Sequence, residues 1–250
     1  MKGRLDKRVA IITGASRGIG RAIARVFARE GASMALVALH EDRLQRVCDE
    51  FVASGTPTMA FPGDVTERRF PQRLVDQVLA THGRIDILVN CAGILTRTPT
   101  EQLAMEEWRR VIDVNLNGSF AFSQAVLPTM RQQGAGKILI MTSQMAWMPH
   151  PNASPSYEVS KAGLTALTRH LALHYAKHGI QVNAIAPGSI DTEMAATMSQ
   201  EVRAKMKEAI PLKRLGLPEE VGELALFLAS DEANYITGTT MHINGGSCMS

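Results

Sequence analysis

The sequence predicts an α/β protein, a single doubly wound domain over residues 1–250 with a mainly parallel seven-stranded sheet and helices on both faces. Short β-branched runs alternate with longer helical ones, which calls for parallel strands joined by right-handed crossovers. A glycine-rich turn directly follows the first such run. No linker, repeat or low-complexity tract divides the 250 residues, a length that one α/β sheet often fills.

Each element has its own warrant. Val9-Ala10-Ile11-Ile12 reads as a buried strand. Ile19, Ile23, Val26 and Phe27 then fall on one helix face, and Gly31 ends that helix. Met34–Leu39 is the second strand; Leu44, Val47, Cys48 and Phe51 mark the second helix; Thr58–Phe61 is the third strand. Leu74, Val75, Val78 and Leu79 give a third helix ahead of the strand Ile85–Val89. A long helix is expected from Glu106 to Gln132, with Pro128 kinking or shortening it near its end. Lys137–Met141 is the fifth strand, Pro155–Lys177 another long helix and Ile180–Ile185 the sixth strand. A Met-rich segment, 191–217, precedes a helix over Pro218–Ala229 and a seventh strand over Thr239–Ile243.

The composition excludes several classes. With 45% hydrophobic and 20% charged residues the chain is neither disordered nor collagen-like, and it has no apolar run of membrane-spanning length. Lys+Arg number 27 against 24 Asp+Glu, an evenly spread +3 that gives no case for a nucleic-acid partner. Cys48, Cys91 and Cys248 are odd in number and lack zinc or Cys-x-x-Cys spacing, so neither a disulfide scaffold nor a metal site is expected. The basic start leads into only four apolar residues, Val9–Ile12, too short for a secretion signal. A cytoplasmic location is expected.

Thr13-Gly14-Ala15-Ser16-Arg17-Gly18-Ile19-Gly20 joins the first strand to the first helix. A helix N-terminus there aims free N–H groups at an anion, and glycines let a pyrophosphate approach the backbone. The spacing is G-x-x-x-G-x-G rather than G-x-G-x-x-G, and the absence of a following G-K-[ST] removes the P-loop reading. A sharp turn without a ligand is the alternative.

This loop resembles the nucleotide-binding signature of the classical short-chain dehydrogenase/reductase family, and the resemblance continues almost to the C-terminus. It implies a Rossmann-type fold in which Gly14, Ser16, Arg17, Gly18, Ile19 and Gly20 bind the cofactor. Asp64-Val65 resembles the adenine contact. Asn90-Cys91-Ala92-Gly93 resembles the Asn-Asn-Ala-Gly motif, with Cys91 in place of the second Asn and Asn90, Ala92 and Gly93 supporting the cofactor. Pro187-Gly188, with Ile190 and Thr192, matches a further motif, where the backbone meets the nicotinamide carboxamide and the hydroxyl meets phosphate.

Tyr157 and Lys161 stand at i and i+4, on one helix face. A nearby ammonium favours phenolate, so Lys161 is expected to lower the tyrosine pKa toward working range. Such a pair alone is usually a surface pair. Ser143, just past the fifth strand, lies where ligands of open α/β sheets bind, and Asn115 sits in the preceding long helix. The resemblance makes these four residues a tetrad. Tyr157 is then the general acid/base, and Lys161 tunes it and holds the nicotinamide ribose. Ser143 binds the reacting oxygen, and Asn115 orders a water leading to Lys161.

The family pattern also bears on cofactor choice. Ala38 occupies the slot where NAD-preferring relatives carry Asp, and Arg17 is placed to pair with a 2′-phosphate, so NADP(H) is favoured over NAD(H). Leu39 lacks the second arginine often seen there; Glu41 and Asp42 read as first-turn residues favoured by the helix dipole.

Met145, Trp147, Met148 and His150 after Ser143, with Met194 and Met198 downstream, are expected to wall a substrate pocket beneath a lid at 191–217. Core or subunit contacts are the alternative for the methionines. His170, His174 and His178 recur at i+4, but His170 lies about half a turn round from Lys161, and no metal is expected there. The resemblance suggests a homotetramer that interconverts a ketone and a secondary alcohol. The substrate is either a 3-oxoacyl thioester or small carbonyl compound, or a sugar or polyol. A non-catalytic dinucleotide-binding regulator is the alternative of another class.

Overall fold

The structure, a computed structural model, describes residues 3–151, 153–193 and 199–249. Seven strands form one all-parallel sheet in the order β3-β2-β1-β4-β5-β6-β7. They are β1 (Val9–Thr13), β2 (Ser33–Ala38), β3 (Thr58–Pro62), β4 (Ile87–Asn90), β5 (Gly136–Met141), β6 (Ile180–Pro187) and β7 (Thr240–Ile243). Strand order reverses between β1 and β4, and a crevice opens at the carboxyl ends there.

The strands are buried on both faces, so alternate residues feed two cores. Ala10, Ile12, Met34, Leu36 and Val89 face α1 (Gly18–Arg29), α2 (Glu41–Ala53) and the helix Pro218–Ala229, which supply Ile23, Phe27, Leu44, Phe51 and Leu226. Ile11, Val37, Leu88, Ile138 and Ile140 face α3 (Phe70–His82), the helix Gly118–Gln133 and the helix Pro155–Tyr175, which supply Leu74, Phe122 and Leu164. A Cβ at Gly222 would stand 2.8 Å from Val26 Cγ2, so glycine there lets the helix Pro218–Ala229 pack closely on α1.

The expected continuous helix from Glu106 to Gln132 is corrected. It divides into α4 (Met105–Ile112), a π-helical turn over Asp113–Asn117 and α5 (Gly118–Gln133). Such wide turns concentrate at functional sites, and this one carries Asn115. Pro128 does not end α5. It and Gln124, whose carbonyl it leaves without a helical partner, are exposed, so water can serve that carbonyl; Gly134 at φ +67 ends the helix. The remaining helices are α6 (Pro155–Tyr175), α7 (Gln200–Ala209, inside the Met-rich segment) and α8 (Pro218–Ala229). Among the described residues no helix is long and apolar enough to cross a membrane.

Candidate active site

A cleft of about 420 Å³ opens at the carboxyl ends of the strands. Its floor begins where β1 meets α1. Gly14 has φ +70, and a Cβ there would lie 2.9 Å from the Ala92 backbone; a Cβ at Gly20 would lie 2.3 Å from the Gly14 carbonyl oxygen. Any side chain at these two positions would close the turn. The Thr13 hydroxyl accepts hydrogen bonds from the Cys91 and Ala92 N–H groups, both at 3.0 Å, and so pins the turn after β4 to the end of β1. Ser16, Arg17, Gly18 and Ile19 line the cleft with these glycines, and Arg17 is exposed at the N-cap of α1 with no side-chain cap bond.

The first turn of α1 already holds an anionic oxygen. Gly18 N–H donates to the Glu193 carboxylate at 3.2 Å across 175 positions of sequence. This is the behaviour expected of free N–H groups at a helix N-terminus.

Asp64 and Val65 line the cleft farther along, with Ala38, Leu39 and His40 beyond β2. Asp64 Oδ1 accepts from Thr66 N–H at 2.9 Å and Thr66 Oγ1 at 2.8 Å, and Oδ2 accepts from Arg110 at 3.0 Å. Partial burial opposes ionisation of Asp64, but the Thr66 donors and the Arg110 guanidinium outweigh it and hold the carboxyl below its ordinary pKa.

At the far end Ser143, Tyr157 and Lys161 share the wall with Gly93, Pro187, Gly188, Ile190 and Thr192. Lys161 is buried and donates to the Met141 carbonyl at 2.8 Å; burial pulls its pKa from 10.5 to about 8, against a small lift from Cys91. Its Nζ lies 5.6 Å from the Tyr157 ring centre. The expected lowering of the tyrosine pKa is corrected. Burial raises it, the Ser143 hydroxyl pulls it back only in part, and nearby Cys91 adds to the rise. Spacing showed the ammonium but not the desolvation that opposes it. Burial likewise lifts the Cys91 thiol to about 11 despite Lys161.

Two of the expected site residues stand behind the wall. Asn90 is buried and donates to Ser123 Oγ at 3.0 Å. Asn115 is fully buried; its Oδ1 accepts from Ile94 N–H at 2.8 Å, and its Nδ2 donates to the Ile94 carbonyl and to Ser160 Oγ, both at 3.0 Å.

Met145, Trp147, Met148 and His150 are not among the described residues lining this cleft. A 3₁₀ turn (Gln144–Ala146) follows Ser143: Met145 N–H donates to Ser143 Oγ at 3.2 Å, and Trp147 packs edge-on against His242 with centres 4.6 Å apart. His150 N–H donates to the Glu158 carboxylate at 2.7 Å. Met194 and Met198 lie outside the described residues. The His170 and His174 rings are 4.4 Å apart, but no group of three or more His, Cys, Asp or Glu among the described residues is arranged to hold a metal.

Sequence reading missed Arg110 and Glu193 as cleft residues. Arg110 meets Asp64 across 46 positions, a pairing without any local signal. Glu193 follows Thr192 directly, and that adjacency was its only available clue.

The profile of the family described as "Enoyl-(Acyl carrier protein) reductase" matches residues 14–248. Oxidoreductase UcpA of Salmonella typhimurium is 42% identical over 255 residues, covering 99% of this chain and 97% of its own. The 3-oxoacyl-[acyl-carrier-protein] reductase FabG of Staphylococcus epidermidis is 40% identical over 241 residues, covering 96% of this chain and 98% of its own. The chain belongs to the short-chain dehydrogenase/reductase family. The crystal structure of 3-oxoacyl-[acyl-carrier protein] reductase from Brucella melitensis superimposes on this short-chain dehydrogenase/reductase with a TM-score of 0.93 at 35% identity, covering 99% of this chain and 95% of that one. As a member of the family the protein is an oxidoreductase acting on CH–OH and C=O groups of a small-molecule substrate, and the family implies binding of NAD(P)(H). The glycine turn fits such a dinucleotide, since its close backbone approach and its anion-accepting N–H group suit a pyrophosphate.

Proposed function

We propose that the protein is an NADP(H)-preferring reductase that interconverts a ketone and a secondary alcohol, with Tyr157 as general acid/base. The observation that carries this reading is the convergence of Ser143, Tyr157 and buried Lys161 on one wall of a cleft whose other end is a glycine turn. When bound, the nicotinamide supplies or receives the hydride. Tyr157 gives its proton to the carbonyl oxygen in reduction and takes it back in oxidation. Ser143 hydrogen-bonds that oxygen, and Lys161 holds the ribose. Asn115 orders a water between itself and Lys161. In support, Asn115 Oδ1 and Lys161 Nζ lie 3.3 and 3.6 Å from the position a Cβ would take on Gly93.

Gly14, Ser16, Gly18, Ile19 and Gly20, with Asp64 and Val65 farther along the cleft, would hold the cofactor. Asn90, Ala92 and Gly93 shape the wall beside it, and Pro187, Gly188, Ile190 and Thr192 receive the nicotinamide half. Arg17 takes a 2′-phosphate; its exposure without a cap bond, together with Ala38 where an acid would serve a free ribose hydroxyl, supports NADP(H) over NAD(H).

The 191–217 segment acts as the substrate lid of a single catalytic domain. Support comes from α7, which buries nothing in the core, and from the Arg203–Asp191 ion pair at 2.8 Å at its base. The substrate is a 3-oxoacyl thioester or another small carbonyl compound. Four chains assemble through the α5 and α6 faces, where Phe120, Val159 and Leu173 are exposed. Action in the cytoplasm suits three free cysteines.

The test follows NADPH and NADH absorbance against a carbonyl panel. Turnover should fall about 10²–10⁴-fold in Tyr157→Phe, the worth of a general acid/base. Arg17→Ala should reduce the NADPH-over-NADH preference by roughly tenfold, in line with a lost charge-assisted bond. Undiminished turnover in Tyr157→Phe rejects the mechanism. Tight cofactor binding without turnover of any carbonyl favours a dinucleotide-binding regulator instead.

A further inference from the structure

The tetrad is joined from behind by a hydroxyl that the mechanism above does not use. Ser160 is fully buried on α6, one turn after Tyr157 and directly before Lys161. Its Oγ donates to the Tyr157 carbonyl at 2.7 Å and accepts from Asn115 Nδ2 at 3.0 Å. The first bond spends the hydroxyl proton inside the helix, so Ser160 meets Asn115 as an acceptor. That direction fixes the amide. Its two N–H bonds go to the Ile94 carbonyl and to Ser160, and its oxygen takes the Ile94 N–H. An amide oxygen has two lone pairs, so one remains. Oδ1 is also the amide atom nearest Gly93, where a Cβ would stand 3.3 Å from it and 3.6 Å from Lys161 Nζ. Close packing supports the same contact. A Cβ on Gly163, one turn beyond Ser160, would lie 3.0 Å from Leu116, so glycine there lets the π-helical turn that carries Asn115 rest against α6.

We propose that Ser160 is a positioning residue: by accepting from Asn115 it holds the amide with its oxygen, not its nitrogen, toward Lys161. The water ordered between Asn115 and Lys161 then donates to Oδ1 and turns a lone pair to the ammonium, which favours the charged lysine. Without the Ser160 acceptor one N–H of a fully buried amide is orphaned, and the amide shifts to find another partner. The inference rests on the tetrad reading above and adds the group that orients one of its members.

The experiment compares the parent with Ser160→Ala, Ser160→Cys, Asn115→Ala, the Ser160→Ala/Asn115→Ala double variant and Thr168→Val. It reads carbonyl reduction by NADPH, thermal melting and, in the cofactor-free protein, the titration of Lys161 by NMR. Thr168 is the control: its buried hydroxyl likewise donates to a carbonyl inside α6, that of Leu164 at 2.8 Å, two turns beyond Lys161. Among the described residues the titratable groups facing Lys161 are Tyr157 on its own helix and Cys91 after β4, and every variant keeps both. Ser160→Ala should lower kcat about three- to tenfold, the worth of one hydrogen bond, with KM little changed. It should also move the Lys161 titration to lower pH. Ser160→Cys, a weaker acceptor of similar size, should lie between. Thr168→Val should lose as much melting temperature with kcat unchanged. In the Asn115→Ala background Ser160→Ala should lower kcat no further, because it acts through that amide. Equal kcat in Ser160→Ala and Thr168→Val overturns the proposal. So does a Ser160 effect undiminished in the Asn115→Ala background, or an unmoved Lys161 titration. If Ser160→Ala or Asn115→Ala does not fold, Ser160→Cys and the Lys161 titration decide. Failure of the parent to reduce any carbonyl, or undiminished turnover in Tyr157→Phe, rejects the tetrad reading itself.

Discussion

Two lysines are buried at opposite ends of the same sheet, and the protein surrounds them differently. Lys137, 8% exposed at the amino end, donates to Asn234 Oδ1 at 2.8 Å. Burial lowers its pKa, nearby Asp231 works against that and Arg8 works with it. Around it Asp86 accepts from Arg84, from Arg8 and from the Val9 N–H, and Arg8 also pairs with Asp231. A second cavity, about 230 Å³, lies among these groups, but their charges already answer one another. Lys161, 5% exposed at the carboxyl end, has a backbone carbonyl for a partner, and a thiol rather than a carboxylate lifts its pKa. On the same side Gln144 Oε1 is orphaned and an N–H of α1 holds a glutamate from a distant loop. Paired charge at one end makes scaffold; unpaired polar groups at the other are what a ligand can complete.

Three substitutions test that contrast, beginning with the largest effect. Asp86→Ala strips three donors of one buried acceptor and should destabilise the fold by roughly 3 kcal/mol, read by denaturant unfolding. Well below the melting temperature its kcat/KM should match the parent. A kinetic defect there would mean that the two ends are coupled.

The second concerns Lys161. Its folded pKa, about 8, lies below the 10.5 of the ordinary side chain. Between those values the unfolded chain binds more protons, so stability rises with pH across the window. The parent should therefore gain up to roughly 3 kcal/mol on Lys161→Met between pH 8 and 10.5. Unfolding curves of the two proteins at several pH values measure it, and parallel stability profiles would deny that Lys161 is buried as an unpaired charge.

The smallest effect belongs to Glu193→Gln. An anion at a helix N-terminus is worth about 0.3–1 kcal/mol, and Glu193 stands where a phosphate is proposed to bind. Removing its charge should tighten NADPH binding about two- to fivefold, measured by fluorescence titration. Unchanged or weaker binding would show that the carboxylate and the cofactor do not compete.

The fold was legible wherever the pattern is local. Glycine at 14, 18 and 20 marks the strand-to-helix turn, and Pro218 opens a helix that ends at Ala229 as its periodicity indicates. The break at Asp113–Asn117 was not legible, because the Asn115 side chain that sits in it is held by Ile94 and Ser160, 21 and 45 positions away. Trp147 and Met148 illustrate the converse. Apolar residues close in sequence to Ser143 suggested a pocket wall; the structure adds what spacing could not show, that a 3₁₀ turn follows Ser143 and that Trp147 packs on His242, 95 positions away.

By itself the sequence determined the parallel sheet, the end of it at which the cleft opens and the residue types available there, since periodicity and turn chemistry act over a few residues. The tertiary structure decided the direction in which the Tyr157 pKa moves, the pairing of Arg110 with Asp64 and of Glu193 with Gly18, and the burial of Gln144 Oε1 without a partner. Desolvation and hydrogen-bond satisfaction depend on what the rest of the chain places nearby, and no local spacing encodes that.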